Sequence, residues 1–287
     1  MRILVHLSDL HFGALRAETL APLAKAVAAI GPDLIAVSGD LTQRARPRQY
    51  AEARAFLDRL PFRKIVVPGN HDVPLYNVYA RFLRPLASYR RYISPDLEPF
   101  YADHEIAVLG INTARSFTFT NGRVNERQVA LARERLAPLG GVIKIIVTHH
   151  PFDLPEHYPA SALVGRARMA MTELARCGID LFLAGHHHVG MAQPSTLRFK
   201  VSDYSALLVQ AGTATSSRGR GQMNSFNVIR IAAPIIEVER FVWQNSEAAC
   251  FMKTAVERFR HARNGWSKLD GEISPSQIET ASKDLVP

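Results

Sequence analysis

Five short clusters of carboxylate, carboxamide and imidazole side chains stand out in this 287-residue chain. They are Asp9 and His11; Asp40; Asn70, His71 and Asp72; His149 and His150; and His186, His187 and His188. Oxygen and nitrogen donors without thiolate suit manganese, iron, zinc or cobalt better than a soft metal, and imidazole argues against a purely calcium site. Asp9, His11, Asp40, Asn70, His149, His186 and His188 supply seven candidate ligands, which calls for two divalent ions. One carboxylate should be shared, because paired catalytic metals sit roughly 3.5–4 Å apart. Two such ions, less the charges of Asp9 and Asp40, leave a site of about +2. A centre of that charge attracts a phosphate ester and activates a bridging hydroxide as nucleophile.

The spacing supports convergence. Asp9 and His11 are two apart, as are His186 and His188. In extended backbone residues i and i+2 point the same way, so each pair could grip one site while Leu10 and His187 turn aside. Gly39, Gly69 and Gly185 stand just before the ligands, where the chain must turn sharply.

Each cluster follows an apolar run that reads as a strand. Strands are expected at 3–5, 34–37, 65–67, 106–111, 142–147, 179–184, 206–209, 226–231 and 235–243. Helical spacing marks 20–30, 49–60, 126–136 and, with a break near Pro85, 78–92. Continuous apolar strands between amphipathic helices indicate a layered α/β sandwich whose sheets are covered on both faces. In such sheets ligands bind beyond the carboxyl ends of the strands, which is where the five clusters fall. Residues 1–243 form the expected catalytic domain. In the remainder, 244–287, Phe251, Ala255 and Phe259 recur at helical spacing, which predicts an amphipathic helix over 248–263 followed by a polar tail from Asn264.

Composition narrows the setting. Hydrophobic residues make up 47% and charged residues 21%, as in a globular protein with a sizeable core. No run of 18 or more apolar residues occurs, and residues 1–7 are too short for a signal core, so a cytoplasmic location is expected. The two cysteines, Cys177 and Cys250, suit a reducing compartment and form no metal-type pair. The net charge of +9 favours anionic partners: a small phosphorylated substrate, a membrane surface touched by the C-terminal helix, or nucleic acid. The oligomeric state is not readable from the sequence.

The series Asp9-x-His11, Gly39-Asp40, Gly69-Asn70-His71-Asp72, His149-x-Pro151 and Gly185-His186-x-His188 resembles the five-block signature of the calcineurin-like metallophosphoesterase superfamily. All five blocks occur in order over residues 9–188. The resemblance implies a four-layer α/β/β/α sandwich of two mixed sheets flanked by helices. It implies that Asp9, His11 and His188 bind one metal, that Asn70, His149 and His186 bind another, and that Asp40 bridges them. His71 would protonate the leaving oxygen or stabilise charge, held by Asp72. Gly122, Gln128, Leu131, Leu136 and the segment 213–227 also resemble the cyclic-nucleotide phosphodiesterase-like branch, which implies a phosphodiester substrate.

Other members of that superfamily leave other readings open: a UDP-diacylglucosamine-type pyrophosphatase of lipid A synthesis, a nuclease, or an inactive binding scaffold. The first usually carries arginine where this chain has His71, nucleases carry an extra capping domain, and an intact ligand set argues against the scaffold. The family pattern selects His149 over His150 as the ligand. His187 is expected to be exposed and His6 to be a core histidine, while His104, His157 and His261 carry no signal. Arg81, Arg84, Arg90 and Arg91 in the segment 76–92 could form a lid over substrate phosphate or a solvated helix face. Arg115, Arg218 and Arg220 could also reach the pocket.

Overall fold

A computed structural model of the chain describes residues 1–195, 197–199, 204–218, 221–245, 249–262 and 265–269. The elements run β1 (Arg2–Leu7), α1 (Leu20–Ile30), β2 (Leu34–Ser38), α2 (Pro47–Asp58), β3 (Arg63–Val67), α3 (Val78–Leu83), α4 (Ala87–Tyr92), β4 (Phe100–Ala102), β5 (Ile106–Gly110), α5 (Glu126–Leu136), β6 (Ile143–Val147) and α6 (Ala167–Arg176). They continue through β7 (Leu181–Ala184), β8 (Met191–Pro194), β9 (Leu207–Gln210), β10 (Ser225–Ala232), β11 (Ile235–Gln244), β12 (Cys250–Ala262) and β13 (Gly265–Lys268). Helix boundaries follow local chemistry. Pro47 opens α2, Asn125 and Gln128 form a capping box on α5, and α1 ends at Gly31 in a left-handed conformation.

Two mixed sheets face each other, as the resemblance implies. One has the order β13-β12-β11-β10-β1-β2-β3 and the other β4-β5-β6-β7-β9-β8. Strands β1, β2 and β3 are parallel, as are β5, β6, β7 and β9; the remaining pairings are antiparallel. Alternation along the strands divides the apolar side chains among three cores. Leu4, Ala36, Ile65, Val108, Ile145 and Leu183 pack between the sheets. Val5, Val37 and Val66 face α1, α2 and α4 on one outer side, where Leu23, Leu57 and Tyr89 meet them. Leu109, Ile146 and Phe182 face α5 and α6 on the other, against Val129, Ala132 and Leu174. This is the four-layer arrangement.

The C-terminal segment corrects the helix expected over 248–263. Residues 250–262 are the long strand β12, paired with β11, and Gly265–Lys268 within the expected polar tail is the edge strand β13. The period of four in Phe251, Ala255 and Phe259 is even, so it satisfies a strand as well as a helix. A bulge then separates the two aromatic anchors. Arg240 pairs with Ala255 but Phe241 pairs with Lys253, leaving Thr254 unmatched. The extra residue flips the face, so Phe251 enters the outer core and Phe259 the core between the sheets. The basic side chains of β12 bridge strands: Lys253 Nζ lies 2.8 Å from Glu239 and Arg258 Nε 2.6 Å from Glu237. Strand β11 runs through residue 243 to Gln244. Ala248, Arg263, Asn264 and residues 270–287 lie outside the described residues. Among the described residues no helix is long and apolar enough to cross a membrane.

Candidate metal centre

The parallel strands of both sheets carry the ligand clusters at their carboxyl ends. Asp9 and His11 follow β1, Asp40 follows β2, and Asn70 and His71 follow β3. His149 follows β6, and His186 and His188 follow β7. The structure brings all eight together.

The local backbone differs from the extended geometry expected of the i, i+2 pairs. Asp9, His11, His186 and His188 all have positive φ, between 50° and 74°, and so does Asp40. Non-glycine residues adopt this left-handed region at a cost, and such strain concentrates at functional sites. It is held here by backbone bonds from Asp9 N to Gly39 O (3.1 Å) and from His11 N to Asp40 O (2.9 Å). Gly39 itself has φ +85°, while at Gly69 and Gly185 the need is space: a Cβ there would strike Asp40 and Ser8 respectively.

Two groups of ligand atoms result. In the first, Asp9 Oδ1 lies 3.1 Å from His188 Nε2 and 3.5 Å from His11 Nε2, and the two imidazole nitrogens are 3.4 Å apart. In the second, His149 Nε2 lies 3.1 Å from Asn70 Oδ1, and the His149 and His186 rings are 5.1 Å apart. Asp40 Oδ2 belongs to both, 3.7 Å from His11 Nε2 and 3.3 Å from His149 Nε2. The pair Asp9 and His11 thus serves one group, whereas His186 and His188 divide between the two.

These side chains fit divalent cations on an observation independent of family. Asp9 Oδ1 is buried with no hydrogen-bond partner, although Asp9 Oδ2 accepts from Ser8 Oγ (2.5 Å) and His186 N (3.1 Å). A bare buried carboxylate oxygen facing two imidazole nitrogens is costly unless a cation completes it. The distal nitrogens are already committed. His149 Nδ1 donates to Ser38 O (2.7 Å) and His188 Nδ1 to Arg218 O (3.3 Å), which aims each Nε2 inward. Burial opposes charge on His149, but the Asp40 carboxylate overrides it and holds the imidazole up at about 9. Burial also opposes the Asp9 charge, and the facing His11 and His188 imidazoles reverse it, keeping the carboxyl well below its usual range. Among the described residues neither cysteine joins a metal-type cluster.

Beside these ligands lies a cleft of about 480 Å³ lined by Asp40, Asn70, His71, Thr120, His186, His188 and Arg218. His71 Nδ1 donates to Gln43 O (3.0 Å), so that Nε2 is the free nitrogen. Asp72 does not orient this ring. Its carboxylate accepts from the backbone N–H groups of Leu41 (3.1 Å), Thr42 (2.9 Å) and Gly69 (2.9 Å) and from Thr42 Oγ1 (2.9 Å). It ties the loop after β2 to the loop after β3. Burial and the neighbouring Asp40 charge push Asp72 up to about 6 despite those bonds.

His150 has both nitrogens engaged. Nε2 donates to Thr120 O (2.9 Å) and Nδ1 accepts from Thr113 Oγ1 (2.8 Å), a neutral ring that burial keeps well below its normal pKa. It anchors the strap 113–120 while standing beside His149 and His186. His187 is half-buried rather than exposed, with Nε2 3.2 Å from Ala162 O. His6 is buried in β1, 2.8 Å from Ser38 Oγ. Arg115 turns away to Asn112 O, Ala114 O and Gln128 Oε1. Arg81 is no solvated residue. It is buried and donates to the carbonyls of Pro74 (2.9 Å), Ser116 (2.8 Å) and Thr118 (3.0 Å). Of the candidate arginines, Arg218 lines the cleft, and Arg220 lies outside the described residues.

Sequence reasoning missed Ser8 and Gln43. Ser8 bonds Asp9, and Gln43 holds His71 through its carbonyl; with its amide reversed, its side chain reaches His11, Arg44 and Arg218. The segment 213–227, flagged only by resemblance, acts as a brace. Thr213 Oγ1 donates to Asp9 O (2.7 Å) and Thr215 Oγ1 to Leu10 O (2.6 Å).

Comparison with known proteins adds four findings. The sequence profile of calcineurin-like phosphoesterases matches residues 1–190. Glycerophosphodiester phosphodiesterase GpdQ of Enterobacter lignolyticus (strain SCF1) is 25% identical over 206 residues, 67% of this chain and 73% of that protein. The structure of PhoD superposes with a TM-score of 0.69 at 11% identity, covering 96% of this chain and 72% of that one. Purple acid phosphatase PPD1 from yellow lupin seeds superposes with a TM-score of 0.66 at 11% identity, covering 89% of this chain and 53% of that one. The two structures share the fold.

Proposed function

Because the chain belongs to the calcineurin-like phosphoesterase family, a family of phosphoric ester hydrolases, we propose that it is a dinuclear metal-dependent phosphodiesterase acting on a small phosphorylated substrate. The observation that carries this reading is the position of Asp40 Oδ2, within 3.7 Å of His11 Nε2 and 3.3 Å of His149 Nε2. Asp9, His11 and His188 would hold one ion, Asn70, His149 and His186 the other, and Asp40 both. The donor set suits manganese, iron or zinc. When bound, the ions would supply Lewis acidity toward phosphate oxygens and an activated water.

The chain's own residues do the rest. Arg218 at the cleft presents positive charge to the phosphate. Hydrolysis forms one P–O bond to the water oxygen and breaks the P–O bond to the alcohol, and the proton that water sheds is the one the departing alkoxide needs. His71, with Nδ1 fixed by Gln43, offers Nε2 to hold that proton and pass it on. A diester is favoured over a monoester by likeness to GpdQ, whose name records a phosphodiesterase.

The test is a substrate panel with the manganese-loaded protein: bis-p-nitrophenyl phosphate, a 2′,3′- and a 3′,5′-cyclic nucleotide, and p-nitrophenyl phosphate. The reading expects diester turnover to exceed monoester turnover, with two ions per chain by mass spectrometry. Preferred cleavage of the monoester, or one ion at full activity, would overturn it.

A further inference from the structure

The described residues include twelve large hydrophobic side chains that are markedly exposed, and seven of them lie on residues 76–83, which include α3, and on the neighbouring strap. Tyr76 is 73% exposed, Tyr79 70% and Phe117 85%; Val78, Phe82, Leu83 and Phe119 complete the set. A cluster of this kind on one surface marks a binding site rather than chance exposure. The two segments form one surface. The Phe82 and Phe117 rings are 5.1 Å apart, and the Arg81 guanidinium sits 4.1 Å from the Phe119 ring centroid while bonding the carbonyls on either side of Phe117.

Both ends of this surface reach the metal centre. At one end Asn70 Nδ2 donates to Phe119 O (3.4 Å), and the next residue, Thr120, lines the cleft. At the other, Arg44 lies 5.7 Å from the Tyr76 ring centroid and 3.4 Å from His71 Nδ1. Away from the centre, Leu83 passes into a second cleft of about 450 Å³, walled by Leu86, Leu97, Arg84 and Arg90. The segment 76–92 contains four arginines and no acidic residue. A second copy of the chain docked on this face would set arginine against arginine. An anionic amphiphile meets complementary charge and apolar surface together.

We propose that this surface takes an alkyl or acyl chain of the substrate itself, making the protein selective for amphiphilic phosphodiesters. The phosphate enters the cleft lined by Asp40, His71 and Arg218, between Tyr76 and Phe119, and the chain runs over Tyr79, Phe82 and Phe117 toward Leu83. The proposal rests on the phosphodiesterase reading above and deepens it.

The experiment compares methyl, butyl and octyl p-nitrophenyl phosphates on the full-length manganese-loaded protein and on the Tyr79→Ser and Phe117→Ser variants. Both positions are exposed enough that substitution leaves the cores intact. Each methylene that is fully buried is worth about fourfold in affinity, so partial cover predicts at least a tenfold rise in kcat/KM from methyl to octyl. Each variant should lose most of that rise within its own series. A flat series in the unsubstituted protein, or an undiminished rise in both variants, would overturn the proposal. So would a dimer that the variants dissociate without any chain-length effect. If no diester is cleaved, the phosphodiesterase reading has failed, and the surface is judged separately by calorimetry with octylphosphonate. Binding weakened at least tenfold in the variants supports it; equal binding overturns it.

Discussion

The Asp40 carboxylate accepts a hydrogen bond from the backbone N–H of His71 at 2.8 Å, through Oδ1. That bond turns Oδ2 toward His11 on one side and His149 on the other. The residue proposed to bridge the ions is thus oriented by the main chain of the residue proposed to move the proton. Asp40→Asn keeps the shape and removes the charge. It should retain at most one ion per chain and lose about a thousandfold or more in turnover, the several kcal/mol that a metal pair contributes. Metal analysis beside a kcat measurement checks this, and two retained ions would rule the bridge out.

His71→Ala should lower kcat by about 10²–10⁴-fold, the range of general acid–base assistance, with metal content unchanged. The loss should depend on the leaving group. A p-nitrophenolate leaves with little need of a proton, whereas an alkoxide requires one. Equal losses for aryl and alkyl esters would remove His71 from proton transfer and leave it a purely electrostatic role.

Asp72 should behave as a structural residue. Asp72→Ala strands the buried N–H groups of Leu41, Thr42 and Gly69, each at about 1–3 kcal/mol, so the protein should lose more than about 3 kcal/mol of stability. Urea unfolding reads this directly. Had Asp72 oriented the His71 ring, Asp72→Asn would lower kcat and leave the unfolding midpoint in place.

This contrast shows what the sequence could and could not carry. The candidate ligands were legible because each follows an apolar strand, and parallel strands bring their carboxyl ends to one edge. The groups that orient these side chains and His71 were much less so. His149, His188 and His71 are oriented by the carbonyls of Ser38, Arg218 and Gln43, and a carbonyl donates no sequence signature. Asp72 lies beside His71 in the chain, yet two of its three backbone amide partners are some 30 residues away. The left-handed backbone of Asp9, His11, His186 and His188 was equally hidden, since glycine is the usual marker of positive φ.

Arg81 should be felt at the metal centre without touching it. It bonds the carbonyls of Ser116 and Thr118, and the strap it holds bonds Asn70 through Phe119 O and His150 through Thr120 O. Arg81→Lys loses the planar fork that reaches these carbonyls together. Hydrogen exchange should quicken over residues 116–120, and affinity for the ion held by Asn70 should fall about 10–100-fold, as for other residues that orient ligands. Unchanged exchange would show that the strap holds itself.

The C-terminal hairpin should unfold with the rest of the chain. Phe259 is fully buried between the sheets, and Trp266 on β13 donates from Nε1 to Asp180 (3.2 Å) at the start of β7. Phe259→Ala should therefore cost the whole domain about 3–5 kcal/mol, the usual cost of emptying a large core site. An independent amphipathic helix beyond residue 243 would give another result: the substitution would leave the main unfolding transition in place and remove at most a minor one. Calorimetry separates the two outcomes. The Thr254 bulge adds a second test: with that residue deleted, Phe251 and Phe259 stand seven positions apart in a regular strand and still point to opposite faces. Each ring would keep its core. Deletion of Thr254 should therefore be tolerated far better than Phe259→Ala, because it removes an exposed residue that the pairing with β11 leaves unmatched.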